Sequence, residues 1–315
     1  MALLFAAPLV ADAPRSPTIY RIGVLYPGAP APLASRMEAF RQGLRESGYV
    51  EGANTSIETR YADGKVDHLG KMAADLVRQE VHAIATSGDV AARAAQRATT
   101  TIPIVAFTDD LVGSGLVSSH ARPGGNITGI SILSPELNVK RLEILRQVSP
   151  GSSRVAVLWD PGTGTAQLKE MEAASRSLGV HLVVLEVRGP DDLDGAFKIA
   201  LKERAGTLNV LASPLLASYS HRIVALAAKS RLPVIYQWSE HAEAGGLMSY
   251  GPSLLETWRQ TGLLVGKVLR GAKPGDLPIE QPTKFELVIN MKTARNLGLT
   301  IPPSLLSRAD RVIGE

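Results

Sequence analysis

The sequence predicts an α/β protein made of two lobes, each built around a parallel sheet, and three observations support this. The chain has 315 residues, more than the roughly 100 to 200 that one domain usually contains. Short runs rich in β-branched residues alternate with helical patterns, as in βαβ units. Three segments of the first half also recur, in the same order, in the second half.

In the first half, buried strand patterns are each followed by an amphipathic helix pattern. The predicted strands are 21–26, 57–61, 81–86, 102–107 and 127–130, and the predicted helices are 35–48, 69–77 and 90–98. Ser35 and Glu38 are spaced as a capping box, and Ser134-Pro135 has the composition of an N-cap and first helical residue. This order implies a parallel sheet covered on both faces.

The second half repeats this pattern. Residues 154–162 resemble 21–28, 207–214 resemble 82–89, and 232–237 resemble 102–107, and the first residues of these pairs are 133, 125 and 130 positions apart. Three ordered matches at nearly one spacing predict two similar lobes.

The C-terminal part departs from the repeat. A long amphipathic pattern at 253–270 follows the point where the second lobe should be complete, so this helix is predicted to return to the first lobe. A strand at 285–290 and a closing element at 305–313 follow. The predicted organisation is a signal segment at 1–17, one lobe of 18–131 plus 252–282, and a second of 132–251 plus 283–315.

The N-terminus has features of an export signal. Ala2 to Val10 is apolar, and Ala11-Asp12-Ala13 matches the pattern of a signal-peptidase site, although no Lys or Arg precedes the apolar run. A start codon placed too late would explain the missing charge. The chain has no cysteine, which excludes disulfides, thiolate chemistry and a lipoprotein anchor.

Several functional classes find little support. The net charge is +4, but the basic residues are scattered, so no nucleic-acid partner is expected. The six histidines show no metal-binding spacing, and no metal or other cofactor is expected. Gly162 and Gly164 follow a predicted strand with Glu186 further on, as in a dinucleotide-binding fingerprint, but Gln167 replaces the third glycine. A dinucleotide-dependent enzyme is therefore a weak alternative.

Ligands of open parallel sheets bind at the carboxyl ends of the strands, so residues at those ends are the candidate binding residues. They are Tyr26, Gly28, Ser87, Gly88, Thr108, Asp109, Trp159, Asp160, Ser213, Tyr236 and Tyr250. Ser87-Gly88 begins a helix and could hold a carboxylate, or Ser87 could simply cap that helix. Asp109 and Asp160 could hold an ammonium or hydroxyl group, or form turns.

Four aromatic side chains could surround an organic ligand or belong to the core. They are Trp159, Tyr236, Trp238 and Tyr250. Tyr250 is predicted to lie at the end of a short strand, 247–249. Gly245-Gly246 come before this strand and would let the chain turn tightly into it.

Several long motifs, in order, resemble one family. They are TDDLVGSGLV (108–117) with RPGGNITG (122–129), LPVIYQW (232–238) with EAGGLMSYGP (243–252), and QPTKFELVIN (281–290) with Ala309-Asp310. This pattern resembles the substrate-binding proteins of ABC transporters, in the tryptophan/tyrosine-type group. The resemblance implies the type I periplasmic-binding fold, in which two Rossmann-like lobes are joined by three crossovers and close on a ligand.

The resemblance also implies an exported, periplasmic, non-enzymatic protein, expected to be monomeric, that delivers a small molecule such as an amino acid to an ABC permease and its ATPase. Two positions depart from the family pattern: Asp110 stands where Pro is usual and His241 where Phe is usual. An acid at position 110 would favour a cation or a polyol if it faces the ligand. The main alternative is a stand-alone ligand-sensing module of the same fold.

Overall fold

The computed structural model describes residues 18–30 and 33–314, and they form two α/β lobes as the sequence predicts. The predicted signal segment at 1–17 lies outside the described residues.

In the described part of the chain, twelve strands lie in two sheets. They are β1 (Tyr20–Tyr26), β2 (Thr55–Tyr61), β3 (Ala83–Ser87), β4 (Ile104–Thr108), β5 (Ile127–Ser131), β6 (Arg154–Trp159), β7 (His181–Glu186), β8 (Thr207–Val210), β9 (Val234–Tyr236), β10 (Met248–Gly251), β11 (Glu286–Asn290) and β12 (Arg311–Ile313).

The α-helices connect and cover these strands. They are α1 (Ala34–Glu46), α2 (Leu69–Arg78), α3 (Asp89–Ala98), α4 (Ser134–Val148), α5 (Ala166–Leu178), α6 (Asp192–Lys202), α7 (Pro214–Ser218), α8 (Ser220–Lys229), α9 (Ser239–Glu243), α10 (Leu254–Leu269), α11 (Met291–Leu297) and α12 (Pro303–Leu306). Short 3₁₀ turns lie at Val66–His68, Pro161–Thr163 and Pro274–Asp276.

The two sheets share one strand order, which explains the sequence repeat. The first sheet runs β2-β1-β3-β4-β5 and the second runs β12-β11-β10-β9-β8-β6-β7. The order β2-β1-β3-β4 therefore corresponds to β7-β6-β8-β9. One correction is needed: β10 and β11 pair antiparallel, so only the first sheet is wholly parallel.

Helices cover both faces of each sheet. In the first lobe, α1 and α10 pack on one face with Ile22 and Val24, whereas α2 and α3 pack on the other with Ile84. In the second lobe, α4 and α5 cover one face and α6 and α8 cover the other. Since the strands are apolar on both faces, the parallel sheets are buried.

Helix α10 returns to the first lobe, as its position after β10 predicts. Trp258 and Val265 of this helix belong to the same core as Phe40 of α1. The two helices approach so closely that a Cβ atom at Gly262 would lie 2.3 Å from the backbone oxygen of Phe40. The chain thus passes between the sheets after β5, after β10 and before β11, and the lobe boundaries given above stay a prediction.

Three local predictions were wrong. No side chain caps α1, and Ser35 lies inside that helix rather than at its start. Ser134 is the first residue of α4, and its hydroxyl accepts a hydrogen bond from Gln237 rather than capping the helix. Strand β10 extends to Gly251, so Tyr250 lies within the strand, paired opposite Leu287 of β11.

Candidate functional site

A cavity lies between the two lobes at the carboxyl ends of their strands. The space between its lining atoms amounts to about 360 Å³, including a part that is open to solvent. We call it the inner cavity, and its lining is Tyr26, Arg36, Ser87, Gly88, Phe107, Thr108, Asp109, Ile132, Leu254 and Trp258 around the first sheet, with Ala212, Ser213, Pro214, Ala217 and Trp238 from the second lobe.

Aromatic rings dominate the apolar wall of the inner cavity. Trp258 lies at its centre, with the Phe107 ring 5.2 Å away at an interplanar angle of 79° and the Tyr26 ring 6.1 Å away. Trp238 closes the wall from the second lobe. Edge-to-face packing fixes these rings, so the wall offers a rigid surface to a flat apolar group.

A buried cation also lines this cavity. The side chain of Arg36 is 6% exposed, and it donates one hydrogen bond, from Nη1 to the Tyr26 hydroxyl at 2.7 Å. Among the described residues, no Asp or Glu oxygen lies within 4.0 Å of its guanidinium. Arg36 therefore places a positive charge at this wall of the cavity.

Asp109 links the two lobes at the other side of the cavity. Gln167 of α5 donates a hydrogen bond to its carboxylate, and the same amide group exchanges hydrogen bonds of 2.9 Å with the backbone of Ala212. Burial raises the pKa of Asp109 to about 8, and Asp89 raises it further, while Ser134, Gln167 and Arg141 oppose the shift. The site thus holds this acid where a ligand cation would stabilise its ionised form.

Arg141 of α4 is a second buried cation, and its charge interacts with that of Asp109. Its Nε donates to the Tyr250 carbonyl at 2.8 Å, and Nη1 donates to Asn138. The Nη2 group is buried without a hydrogen-bond partner in the described part of the chain. Burial lowers the pKa of Arg141 to about 9, and Asp109 opposes that shift.

The start of α3 presents backbone amides to the gap. Gly88 adopts φ +82° as the N-cap residue, and no side chain caps the helix, so Ser87 is not a cap. The Gly88 amide itself donates to the Phe107 carbonyl at 2.9 Å, which leaves the amides of 89–91 as the free donors. Such a helix end attracts an anion.

Close contacts between the lobes surround the cavity. A Cβ atom at Gly28 would lie 2.1 Å from the Ser218 hydroxyl, and one at Gly88 would lie 2.9 Å from Pro214. The Ala29 amide donates to the Ser218 hydroxyl at 3.2 Å. Gly28 is therefore a point of lobe-to-lobe contact, and the two lobes are closed on each other.

Besides Gly28, which lies next to the inner cavity, four of the predicted binding residues do not line it. The Trp159 indole donates to the Gly164 carbonyl at 2.9 Å and holds the loop after β6. Asp160 accepts from the Gly162 amide at 2.8 Å and from the Ser213 hydroxyl at 2.6 Å, and burial raises its pKa.

The other two are tyrosines of the second sheet. Tyr236 is fully buried and stacks on His241 with ring centroids 4.7 Å apart. Tyr250 is half-buried and lies 6.4 Å from the Phe285 ring. The structure thus brings together Tyr26, Ser87, Gly88, Thr108, Asp109 and Ser213 in one cavity and places Gly28 beside it.

Both departures from the family pattern lie away from the inner cavity. Asp110 lines a larger, polar cavity on the other side of Asp109, where its carboxylate accepts from the Val112 amide at 3.0 Å. His241 is buried in the second lobe, which lowers its pKa to about 3.

Sequence reasoning missed Arg36, Phe107 and Trp258. Phe107 and Trp258 fit the apolar patterns of their strand and helix, which indicated core positions. Arg36 precedes the apolar residues of α1, and no local feature distinguishes it from a solvent-exposed arginine.

Residues 18–30 and 33–314 contain no group of three or more potential metal ligands of the His, Cys, Asp or Glu type. No helix within those ranges combines the length and the apolar character that crossing a membrane requires.

Comparison with known proteins identifies relatives along nearly the whole chain. The profile of the family described as ABC transporter substrate binding protein matches residues 22–313. A tyrosine-binding protein from Clostridioides difficile (strain R20291) is 25% identical over 270 residues, which cover 83% of this chain and 76% of that protein.

Two solved structures are similar throughout. A conserved domain protein from Vibrio cholerae O1 biovar El Tor has a TM-score of 0.87 at 26% identity, covering 94% of this chain and 100% of that one. An ABC domain from Streptococcus pneumoniae in complex with L-Trp has a TM-score of 0.86 at 25% identity, with the same coverage of each chain.

Proposed function

Since the chain belongs to the ABC transporter substrate-binding protein family, whose members bind small molecules and work with a membrane permease, we propose that it captures an aromatic amino acid in the inner cavity. The resemblance drawn from the sequence motifs is confirmed at the level of the family.

One observation carries the proposal: a single cavity between the lobes combines an aromatic wall with separate polar groups for a zwitterion. Asp109 would pair with the ligand ammonium, and the hydroxyl of Ser87 with the free amides at the start of α3 would hold the carboxylate. Phe107, Trp238 and Trp258 would contact the ligand ring. The relatives described as a tyrosine-binding protein and as a complex with L-Trp support this ligand class.

Closure would retain the ligand. The contacts of Gly28 and Ala29 with Ser218, and of Asp109 with Gln167, join the lobes around the cavity. A ligand that contacts both lobes favours this closed state over an open one by its difference in affinity. We propose the three chain crossings, near 131, 252 and 283, as the hinge.

The wider assignment follows from the family. We propose that the protein is exported to the periplasm, acts as a monomer without catalysis, and delivers its ligand to a permease that is driven by an ATPase.

The test is isothermal titration of the purified protein with L-Tyr, L-Trp and L-Phe, and with L-Leu, L-Glu and L-Lys as non-aromatic controls. We expect saturable binding of at least one aromatic amino acid and none of the controls. Ser87→Ala should weaken that binding about 3- to 10-fold, because it removes one hydrogen bond. Ser177→Ala, the same change on the exposed face of α5, should leave the affinity unaltered.

Absence of heat and of thermal stabilisation with every aromatic amino acid would refute the ligand class. Equal affinity of the Ser87→Ala and Ser177→Ala variants would instead refute the placement of the carboxylate.

A further inference from the structure

A series of buried side chains in the second lobe ends on the carboxyl group of Asp109. Gln167 of α5 donates to Asp109. Asn138 of α4 donates to Gln167 Oε1 at 2.9 Å, and its own Oδ1 accepts from Arg141 Nη1. These three side chains are at most 1% exposed. Since Asp109 follows β4 of the first sheet, the last hydrogen bond of the series joins the two lobes.

The direction of the hydrogen bonds is fixed from the Arg141 end. A guanidinium group has donors only, so Asn138 turns its oxygen to Arg141 and its NH₂ group to Gln167. Gln167 in turn directs its NH₂ group to Asp109. The backbone of Ala212 orients Gln167 in the same sense, because its amide donates to Oε1 and its carbonyl accepts from Nε2, each at 2.9 Å. The series therefore presents a donor to Asp109.

Ser134 of α4 supplies a second donor. Its hydroxyl oxygen accepts from Gln237 Nε2 at 3.3 Å, which leaves the hydroxyl proton for another acceptor. The hydrogen bonds of Ser134 and Gln167 to Asp109 both lower the pKa of that acid. An ionised carboxylate has acceptors only, so two donors favour its charged form.

Arg141 also supplies a charge of opposite sign. Its Nε is anchored on the Tyr250 carbonyl at 2.8 Å, and among the described residues no Asp or Glu oxygen lies within 4.0 Å of its guanidinium. Arg141 lowers the pKa of Asp109, whereas burial and the charge of Asp89 raise it, and the outcome is a pKa of about 8. One further positive charge beside Asp109 is then enough to ionise it at neutral pH.

We propose, on the basis of the function proposed above, that Arg141, Asn138 and Gln167 act as one buried positioning unit, which on closure holds Asp109 ionised against the ammonium group of the ligand. Tight binding then requires a charged amino group. None of the three side chains lines the inner cavity, so the unit acts on the ligand through Asp109. The ammonium site is complete only when the lobes are closed, because Asp109 belongs to the first lobe and its donors belong to the second.

The test compares aromatic amino acids with analogues that lack the amino group. L-Phe, L-Tyr and L-Trp are each paired with 3-phenylpropanoate, 3-(4-hydroxyphenyl)propanoate or 3-(indol-3-yl)propanoate, and binding to the full chain is measured by isothermal titration. The reading is the ratio of the two affinities within the pair that wild type binds most tightly, because closure of the lobes is common to both ligands. Wild type should prefer the amino acid by about 10- to 100-fold, the effect of a hydrogen bond between charged groups.

Variants of the positioning unit should lower this ratio. Arg141→Met and Gln167→Met should each lower it by about 3-fold or more, as expected for members of one hydrogen-bond network. Arg141→Lys should restore part of the ratio, because the charge remains while the planar set of donors is lost. In an Asp109→Asn background, Arg141→Met should lower the ratio no further. Thr207→Val removes a buried hydroxyl of the same lobe that has no hydrogen-bond partner in the described residues, and it should leave the ratio unaltered.

The outcomes separate this inference from the proposed function. Equal weakening of the amino acid and its analogue in Arg141→Met would reduce the unit to a structural role and overturn the inference. A wild-type ratio near one would also overturn it, because Asp109 would then not hold the ammonium group. In both cases binding of an aromatic amino acid would stand. If wild type binds none of the three amino acids, the proposed function fails and the inference fails with it.

Thermal melting of each ligand-free variant checks that it folds. If Arg141→Met does not fold, Arg141→Lys gives the reading: a ratio below that of wild type supports the unit, and an equal ratio overturns it.

Discussion

Substitution of Gly28 tests whether ligand binding requires the closed contact between the lobes. Gly28 has no left-handed φ, so alanine is acceptable to its backbone, but the added Cβ would lie 2.1 Å from the Ser218 hydroxyl. Ordinary contact needs at least 3.4 Å, so the hydroxyl must move by about 1.3 Å or the lobes must separate by that amount. Either movement breaks the hydrogen bond from the Ala29 amide to Ser218.

The expected cost falls mainly on binding. Overpacking of this kind costs about 1 to 3 kcal/mol, which corresponds to about a 5- to 150-fold weaker Kd. An open form relieves the contact with Ser218, whereas the Tyr26 ring carbon 2.8 Å from the added Cβ belongs to the same lobe and must shift in either form. The melting temperature of the ligand-free Gly28→Ala variant should therefore fall, but by less than the loss of affinity implies. Isothermal titration and thermal melting measure the two quantities.

A second substitution supplies the control. Ser218→Ala removes the oxygen that clashes, so the double variant Gly28→Ala/Ser218→Ala should bind more tightly than Gly28→Ala alone. If Gly28→Ala binds ligand as wild type does, the lobes do not meet at this point in the bound state, and the inference of closure is wrong.

Two further predictions concern stability and pH. Gly262→Ala should destabilise the protein by about 3 kcal/mol or more in chemical denaturation, because its Cβ would meet the Phe40 backbone of α1. Gly195→Ala, in α6 with no atom within 4 Å of its Cβ, should instead stabilise by up to about 1 kcal/mol, and equal effects of the two would contradict the tight helix crossing. In the closed form, burial raises the pKa of Asp109 from 3.8 to about 8, so the neutral acid favours closure of the ligand-free protein below about pH 4 and that contribution is lost as the pH rises towards 8. Over that interval the ligand-free wild type should open relative to Asp109→Asn, which small-angle scattering measures as a larger radius of gyration; equal radii at every pH would show that Asp109 titrates in its ordinary range.

Strand and helix patterns predicted most of the fold because they are local. The runs at 21–26 and 102–107 are mostly apolar, without alternation, as a strand covered on both faces requires. They correspond to β1 and β4. The spacing of three similar segments predicted two similar lobes, and the two sheets do share one strand order. The helix starts at Ser35 and Ser134 were less well predicted, because capping depends on side-chain geometry that tertiary contacts can override.

The candidate site was predicted only in part. The rule that ligands bind at the carboxyl ends of parallel strands selected Ser87, Thr108 and Asp109, which do line the inner cavity. The same rule selected Tyr236 and Tyr250, because it cannot tell which face of a strand end a side chain occupies. Tyr236 instead stacks on His241 within the lobe.

The sequence by itself determined the two lobes, the alternation of strands and helices and the family, since these depend on periodic patterns and on motifs that are continuous along the chain. The tertiary structure alone decided which polar groups share the cavity. Arg36 precedes the apolar residues of an amphipathic helix, and only the packing of α1 against β1 and the second lobe buries its charge beside an aromatic wall. Burial is a property of segments far apart in the chain, so no local pattern encodes it.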